Sequence, residues 1–401
     1  MENFKRRKIC TLDGTNSNNP VLNVEFLPNE ILMNIFSHVN INDLYKCTQV
    51  SKKFRQISQD KSFWKCVNLY DQDVSCEFIS QIIRLGTEYL NLQGATLLED
   101  VDTDLPRENN LKYLNLAESS VDDKFIVKLL RSSKSLKKLS LAGVNHKHFY
   151  EYYEESQCYH AYEMLEVRTS WYLECLIPNA KMLTTLDLRN GVRDESNVGN
   201  CVNFETIKEI IIVCDELKEA NFEYLANIDV DPDFFAEHLT TKIEKLNISY
   251  IDISDEHMVK LLKRCRNITE LDLFCCHLNR IEDGSDDEEF NERYNPEQRT
   301  LMAISENLSQ SLVKLHLPYH SIVYPGFLDS LPKLKYLWHK GSDGQGYSDS
   351  ETRQFKRQFP QITLNEGEAQ IANCAIEYFE PKLGFWELKC TAVDLDFPKI
   401  E

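Results

Sequence analysis

One six-residue pattern, LxxLxL, recurs through this chain and limits its fold more than any other feature. It reads LKYLNL from 111, LKKLSL from 136, LTTLDL from 183, IEKLNI from 243, ITELDL from 268 and LVKLHL from 312, with weaker copies at 217 (LKEANF) and 334 (LKYLWH). The intervals from 111, 217, 243 and 312 to the next copy are 25, 26, 25 and 22 residues. In each copy the second and third apolar positions, such as Leu114 and Leu116, alternate as a short strand does when one face points inward. Helical spacing follows. In SDEHMVKLLKRC, Met258, Leu261, Leu262 and Cys265 form one stripe, with Ser254 or Asp255 placed to cap it. A strand, a turn and a helix at this period cannot bury their apolar faces alone. They stack on copies of themselves, which predicts a curved α/β solenoid with a parallel β-sheet on the concave face and helices on the convex one.

Two gaps break the rhythm, 136 to 183 and 268 to 312, and each has room for a degenerate repeat or a loop insertion. MLEVRTSWYL near 165 reads as a degenerate repeat, and the acidic EDGSDDEEFNE from 282 as a solvated loop. The solenoid is therefore expected over 65–365. After it, residues 366–401 lack the pattern but are too rich in apolar and aromatic groups for simple disorder, so this tail is expected to pack on the solenoid, capping the last repeat or folding back along the concave face. Residues 1–22 are polar, without apolar periodicity, and are expected to form a flexible N-terminal tail.

Between that tail and the repeats, residues 23–64 have a different character. Pro28 suits a first helical turn, and Ile31, Leu32, Ile35, Phe36 and Val39 recur at helical spacing. Asn42 or Asp43 is placed to cap a second helix with Leu44, Cys47 and Val50, and Ser51 a third with Phe54 and Ile57. Three short helices hide less apolar surface than they carry, so the segment reads as a docking element without catalytic equipment. From periodicity alone an ordinary helical hairpin on a larger domain fits equally well.

The residues in order add more. LPxEIL, then IF, the DL of NINDL, CxxVSKxFRxIS and a closing FW resemble the F-box family along its whole length. That resemblance implies three helices that interlock with a helical Skp adaptor, which joins F-box proteins to a cullin and a RING-finger ubiquitin ligase. Carried onto this chain, the adaptor-binding residues are Leu27, Pro28, Ile31, Leu32, Ile35, Phe36, Leu44, Val50, Phe54 and Trp64. The copy at 243–267, with ISD after its strand, resembles the cysteine-containing leucine-rich repeats found behind F-boxes. The order of the whole chain, with Trp386, Lys389 and Cys390 in its tail, is similar to one branch of the F-box and leucine-rich-repeat proteins. The likeness implies a phosphorylated cell-cycle inhibitor as substrate and a small cyclin-dependent-kinase-subunit accessory protein. The chain departs from that branch in a much shorter N-terminal region and an aromatic insertion after Val144.

Charge narrows the partners. With 64 acidic against 45 basic residues the formal charge is −19, which disfavours nucleic acid and anionic membranes. No apolar run is long enough for a membrane helix, and MENFKRRKIC lacks the apolar core of a signal peptide. A soluble protein of the nucleus and cytoplasm is expected, with Lys5, Arg6, Arg7 and Lys8 either an import signal or a plain solvated run. Thirteen cysteines, an odd number without framework spacing, fit reduced thiols.

Candidate chemistry is sparse. His146, His148, Cys158 and His160, or Cys275, Cys276 and His277, suggest a metal only weakly, because neither group has CxxC or HExxH geometry. The first group lies in a tyrosine-rich stretch that reads better as an amphipathic helix or partner surface. No phosphate-binding loop or nucleophile elbow is present, so neither catalysis nor a cofactor is expected. The outward strand positions say more. Tyr113, Asn115, Lys138 and Ser140 give a mixed start, and Asp187, Glu219, Glu223, Glu270 and Asp272 an acidic middle. Lys314, His316, Trp338 and Lys340 make a basic, aromatic end. Singly these are solvated sheet residues; as a row they predict a substrate site, at Asp187, Glu223, Asp272, Lys314, His316, Trp338, Lys340 and the tail's Trp386, with the cations taking a phosphate. The resulting reading is a non-catalytic substrate-recognition subunit of a Skp-cullin-F-box ubiquitin ligase, against the alternative of a non-degradative F-box scaffold.

Overall fold

A computed structural model of the chain describes residues 24–98, 103–146, 172–189, 204–223, 232–249, 251, 253–274, 276, 296–317, 325–339 and 349–364. By its contacts the chain separates into two compact units, 1–63 and 64–401.

The first unit opens on a 3-10 turn, Val24–Phe26, and continues as α1 (Asn29–Phe36), α2 (Ile41–Val50), α3 (Lys52–Ser58) and the short α4 (Lys61–Trp64), whose last residue belongs to the second unit. Pro28 stands at the N-cap of α1, outside the first turn. The cap of α2 is Asn40, whose side chain accepts from the Asp43 N–H at 2.9 Å; the helix begins two or three residues earlier than Asn42 or Asp43 as cap would allow. Ser51 caps α3 as expected, accepting from the Phe54 N–H. Two bonds lock the segments together. Lys53 Nζ donates to the Leu27 carbonyl at 2.6 Å, and Arg55 Nε to the Thr48 carbonyl at 2.8 Å. Leu32, Phe36, Leu44 and Ile57 are buried, with the Phe36 and Phe54 rings edge to face at 5.1 Å.

The second unit is a solenoid. Its strands are β1 (Cys66–Asn68), β2 (Asp73–Ser75), β3 (Tyr89–Asn91), β4 (Thr96–Leu98), β5 (Tyr113–Asn115), β6 (Ser120–Val121), β7 (Lys138–Ser140), β8 (Asn145–His146), β9 (Thr185–Asp187), β10 (Glu219–Asn221), β11 (Lys245–Asn247), β12 (Glu270–Asp272), β13 (Lys314–His316), β14 (Tyr336–Trp338) and β15 (Thr363–Leu364). Eleven of these form one sheet in the order β1, β3, β5, β7, β9 to β15, while β2, β4, β6 and β8 form a second, four-stranded sheet. Every described pairing is parallel and in register, so equivalent residues of successive repeats face each other. Helices follow the strands, among them Asp123–Ser132 and Asp255–Arg264, capped by Asp122 and Ser254.

The middle residue of each long strand enters the core. Val67, Leu90, Leu114, Leu139, Leu186, Ala220, Leu246, Leu271, Leu315 and Leu337 are at most 1% exposed. Ala220, the small member of the row, is followed by Phe222, which with Phe235 fills the core there at 5.4 Å between rings. The strands on either side of each longer gap pair directly. Strand β7 pairs with β9, the Thr184 and Thr185 N–H groups both donating to the Lys137 carbonyl, while residues 164–171 of MLEVRTSWYL lie outside the described residues. Strand β12 likewise pairs directly with β13, and the intervening stretch ends in the helix Pro296–Leu308; the acidic run from 282 lies outside the described residues. Strand β15 adds a pairing beyond Pro360, where the leucine pattern had already stopped.

Candidate functional site

Two surfaces collect the residues singled out in the sequence. In the helical unit the structure divides them by burial. Leu32, Phe36 and Leu44 lie inside and hold the helices, Leu27 and Phe54 are half-buried, and Pro28, Ile31 (46%), Ile35 (42%) and Val50 (64%) are exposed. The single stripe expected on α1 is thus two rows, one for the unit's own core and one for solvent. Trp64 is fully buried and falls in the second unit, so it offers no surface to a partner in this structure. Sequence reasoning missed Val24 and Phe26, 48% and 85% exposed on the 3-10 turn just before Leu27. The signal was the VEFLP run itself, apolar at every second residue ahead of the proline.

The concave sheet carries two polar rows. The first residues of the strands form a relay of ion pairs. Thr185 Oγ1 donates to Glu219 Oε2 (3.4 Å), Lys245 stands 3.2 Å from Glu219 and 3.9 Å from Glu270, and Lys314 holds Glu270 at 3.1 Å with its ammonium 6.0 Å from the Tyr336 ring centre. Lys314 therefore already faces a carboxylate. Tyr336 stacks on Trp338, which is half-buried, at 5.9 Å.

The third residues form the other row: Asn68, Asn91, Asn115, Ser140, Asp187, Asn221, Asn247 and Asp272. Each accepts the backbone N–H two residues on, at 2.9 to 3.5 Å. This fixes the turn that leaves the strand, and one residue later Asp71, Gly94, Glu118 and Gly143 take positive φ in the first four repeats. The signal in the sequence was a short side chain with an acceptor oxygen at one position of eight successive strands. At the ninth, His316, the residue two on is Pro318, which has no N–H to cap.

This packing buries two of the five residues of the acidic row and half-buries the other three. Asp187 is 2% exposed and bound by Arg189, whose Nε and Nη2 reach its two oxygens at 3.2 and 3.0 Å. Asp272, 4% exposed, takes His316 Nδ1 at 3.1 Å and lies 2.7 Å from Ser249 Oγ, while the His316 ring stacks on Phe274 at 4.6 Å. Glu223 is half-buried and, among the described residues, has no ion pair; its carboxylate accepts from Asn247 Nδ2 at 3.4 Å. Burial, then the charge of Asp272, pushes its carboxyl up to about 7. Lys340 and Trp386, together with His148, Cys158, His160, Cys275, His277 and the Lys5 to Lys8 run, lie outside the described residues. No metal-binding group of three or more ligands occurs among the described residues, and no described helix is long and apolar enough to cross a membrane. The seven described cysteines are free thiols, four of them buried; burial raises Cys214 to about 12 and Cys265 to about 11.

Residues 24–70 match the F-box-like family model. The chain is also similar to the ubiquitin ligase complex F-box protein UFO1 of Saccharomyces cerevisiae, 36% identical over 74 residues, which is 18% of this chain and 11% of that one. Among solved structures, the leucine-rich repeat-containing protein LegL7 from Legionella pneumophila superposes at a TM-score of 0.34 and 16% identity, over 68% of this chain and 82% of that one. Internalin C2 from Listeria monocytogenes gives 0.35 at 14%, over 61% and 87%. The chain thus carries an F-box-like domain ahead of a repeat solenoid with a parallel sheet.

Proposed function

We propose that this chain is the substrate-recognition subunit of a Skp-cullin-F-box ubiquitin ligase, non-catalytic itself. The observation that carries the reading is an F-box-like domain whose Phe26, Ile31, Ile35 and Val50 are exposed, in a chain whose other unit offers a long polar sheet face. Exposed apolar side chains on so small a module fit a helical adaptor, and the name of the yeast relative points to the same assembly. The ligase works by proximity: the F-box holds the Skp adaptor, with its cullin and RING-finger protein, and the solenoid holds a protein substrate near the conjugating enzyme.

The finer reading is that of the S-phase kinase-associated F-box protein, to which the order of this chain is similar. It adds a phosphorylated cell-cycle substrate, a small kinase-subunit accessory protein and residence in nucleus and cytoplasm. A non-degradative scaffold is the competing reading. Affinity purification with and without a proteasome inhibitor separates them. Recovery of cullin, with bound proteins that accumulate under inhibition, is expected; adaptor without cullin or accumulating proteins overturns the ligase reading in favour of the scaffold.

A further inference from the structure

The third-position row works as a ladder, and it breaks at one place. Asn91 Nδ2 donates back one strand to Asn68 Oδ1 (2.9 Å), Asn115 Nδ2 to Gln93 Oε1 (3.4 Å), and Asn247 Nδ2 to Glu223 Oε2 (3.4 Å). Each amide thus finds an acceptor on the preceding repeat, either the third strand residue or the residue two beyond it. For Asn221 those two residues are Asp187 and Arg189. Arg189 is a donor and cannot accept. Asp187 has both oxygens engaged, by Arg189 and, on Oδ2, by Ser140 Oγ at 3.3 Å.

Asn221 is 2% exposed, its Oδ1 is fixed by the Glu223 N–H, and its Nδ2 has no hydrogen-bond partner. Turning the amide over would lose that fixed bond. A buried donor left unmade is costly, so a group from outside that supplies an acceptor is favoured here.

The charge beside it selects what that group is attached to. Asp187 is neutralised by Arg189, Asp272 faces His316, and the first-position row alternates Glu219, Lys245, Glu270 and Lys314. Among the described residues Glu223, two beyond Asn221, is the carboxylate on this stretch of the sheet without an ion pair. Burial, then Asp272, and less strongly Asp187 keep it from ionising, outweighing Arg189 and the Asn247 amide, which act the other way. A further anion is therefore disfavoured at this point, and a cation is favoured. One extended peptide offers both groups, a backbone carbonyl and a basic side chain next to it.

We propose that the concave face between β9 and β11 receives an extended segment of a partner protein, with a Lys or Arg side chain at Glu223 and an adjoining backbone carbonyl on Asn221 Nδ2. The proposal rests on the substrate-receptor reading and gives that substrate a chemistry.

The probes are blocked nonapeptide pools with random flanks and a central Arg, Lys, citrulline, Glu or phosphoserine, titrated against the full chain by fluorescence polarisation. The Arg and Lys pools should bind at least tenfold tighter than the other three. Glu223→Gln should reduce that preference to under twofold. Asn221→Leu should weaken the Arg pool severalfold while keeping Arg ahead of citrulline. Equal binding of all pools, no binding by any, a preference for phosphoserine, or an unchanged preference in Glu223→Gln would each overturn the proposal; the pool ranking on the parent chain stands whether or not a variant folds. Binding that appears only after removal of residues 366–401 would assign the site to this chain's own C-terminal segment and also overturn it. Purified Skp adaptor is titrated against the same samples. A parent chain that ignores the adaptor but ranks the pools as stated would fail the receptor reading alone.

Discussion

Glu223 shows how a single side chain reports on the concave face. Its carboxyl binds a proton more tightly in the folded chain than in the unfolded one, so its contribution to stability falls as pH rises from about 4.5 to about 7. Glu223→Gln removes that loss. The variant should melt like the parent near pH 5 and above it at pH 8, by up to about 3 kcal/mol; an equal gain at both pH values would contradict the burial argument. Arg189 acts in the opposite sense. Arg189→Met leaves Asp187 buried without its partner and should cost about 3 to 5 kcal/mol, and adding Asp187→Asn should recover part of it. Thermal unfolding of the two single variants and the double one checks this, and additive losses would show that the pair is not coupled. Neither effect was legible in the sequence. Asp187 and Asp272 read as solvated outward charges because alternation along a strand gives the face a residue points to, but not how far its own turn folds over it.

At the scale of elements, the LxxLxL copies marked eight of the fifteen described strands, β5, β7 and β9 to β14, and the middle residue of each lies in the core; β1, β3, β15 and the four-stranded sheet fall outside the pattern. Leu246→Ala or Leu271→Ala should therefore cost about 2 to 5 kcal/mol each, because neighbours stack on both sides and the cavity cannot close. Lys245→Ala, on the concave face between Glu219 and Glu270, should cost under about 1 kcal/mol. Chemical denaturation compares them, and equal losses would mean that the repeat register is wrong. The length of a gap did not say which strands would pair across it; β7 spends its bonds on β9, and the stretch from 164 to 171 lies outside the described residues. The start of α2 was off by two or three residues because Asn40, Asn42 and Asp43 are all able caps, and geometry alone chooses Asn40.

In the whole molecule, two units divide two jobs. The helical unit splits its apolar residues between a small core and an exposed row, and the solenoid presents a polar sheet on which, among the described residues, Glu219, Lys245, Glu270, Lys314, Asp187 and Asp272 are in ion pairs while Glu223 has none and Asn221 Nδ2 lacks a hydrogen-bond partner. This division explains why the basic end expected to greet a phosphate looks different once folded: Lys314 and His316 each hold a carboxylate of the neighbouring strand. The docking role of the helical unit is the central claim, and titration calorimetry of a purified Skp adaptor against the parent chain and Ile35→Asp tests it most directly. The parent should bind, and a charge placed in the docked apolar row should weaken binding on the order of a hundredfold or more, with the thermal unfolding of the solenoid unchanged. Adaptor binding that is the same for Ile35→Asp and the parent would contradict the account.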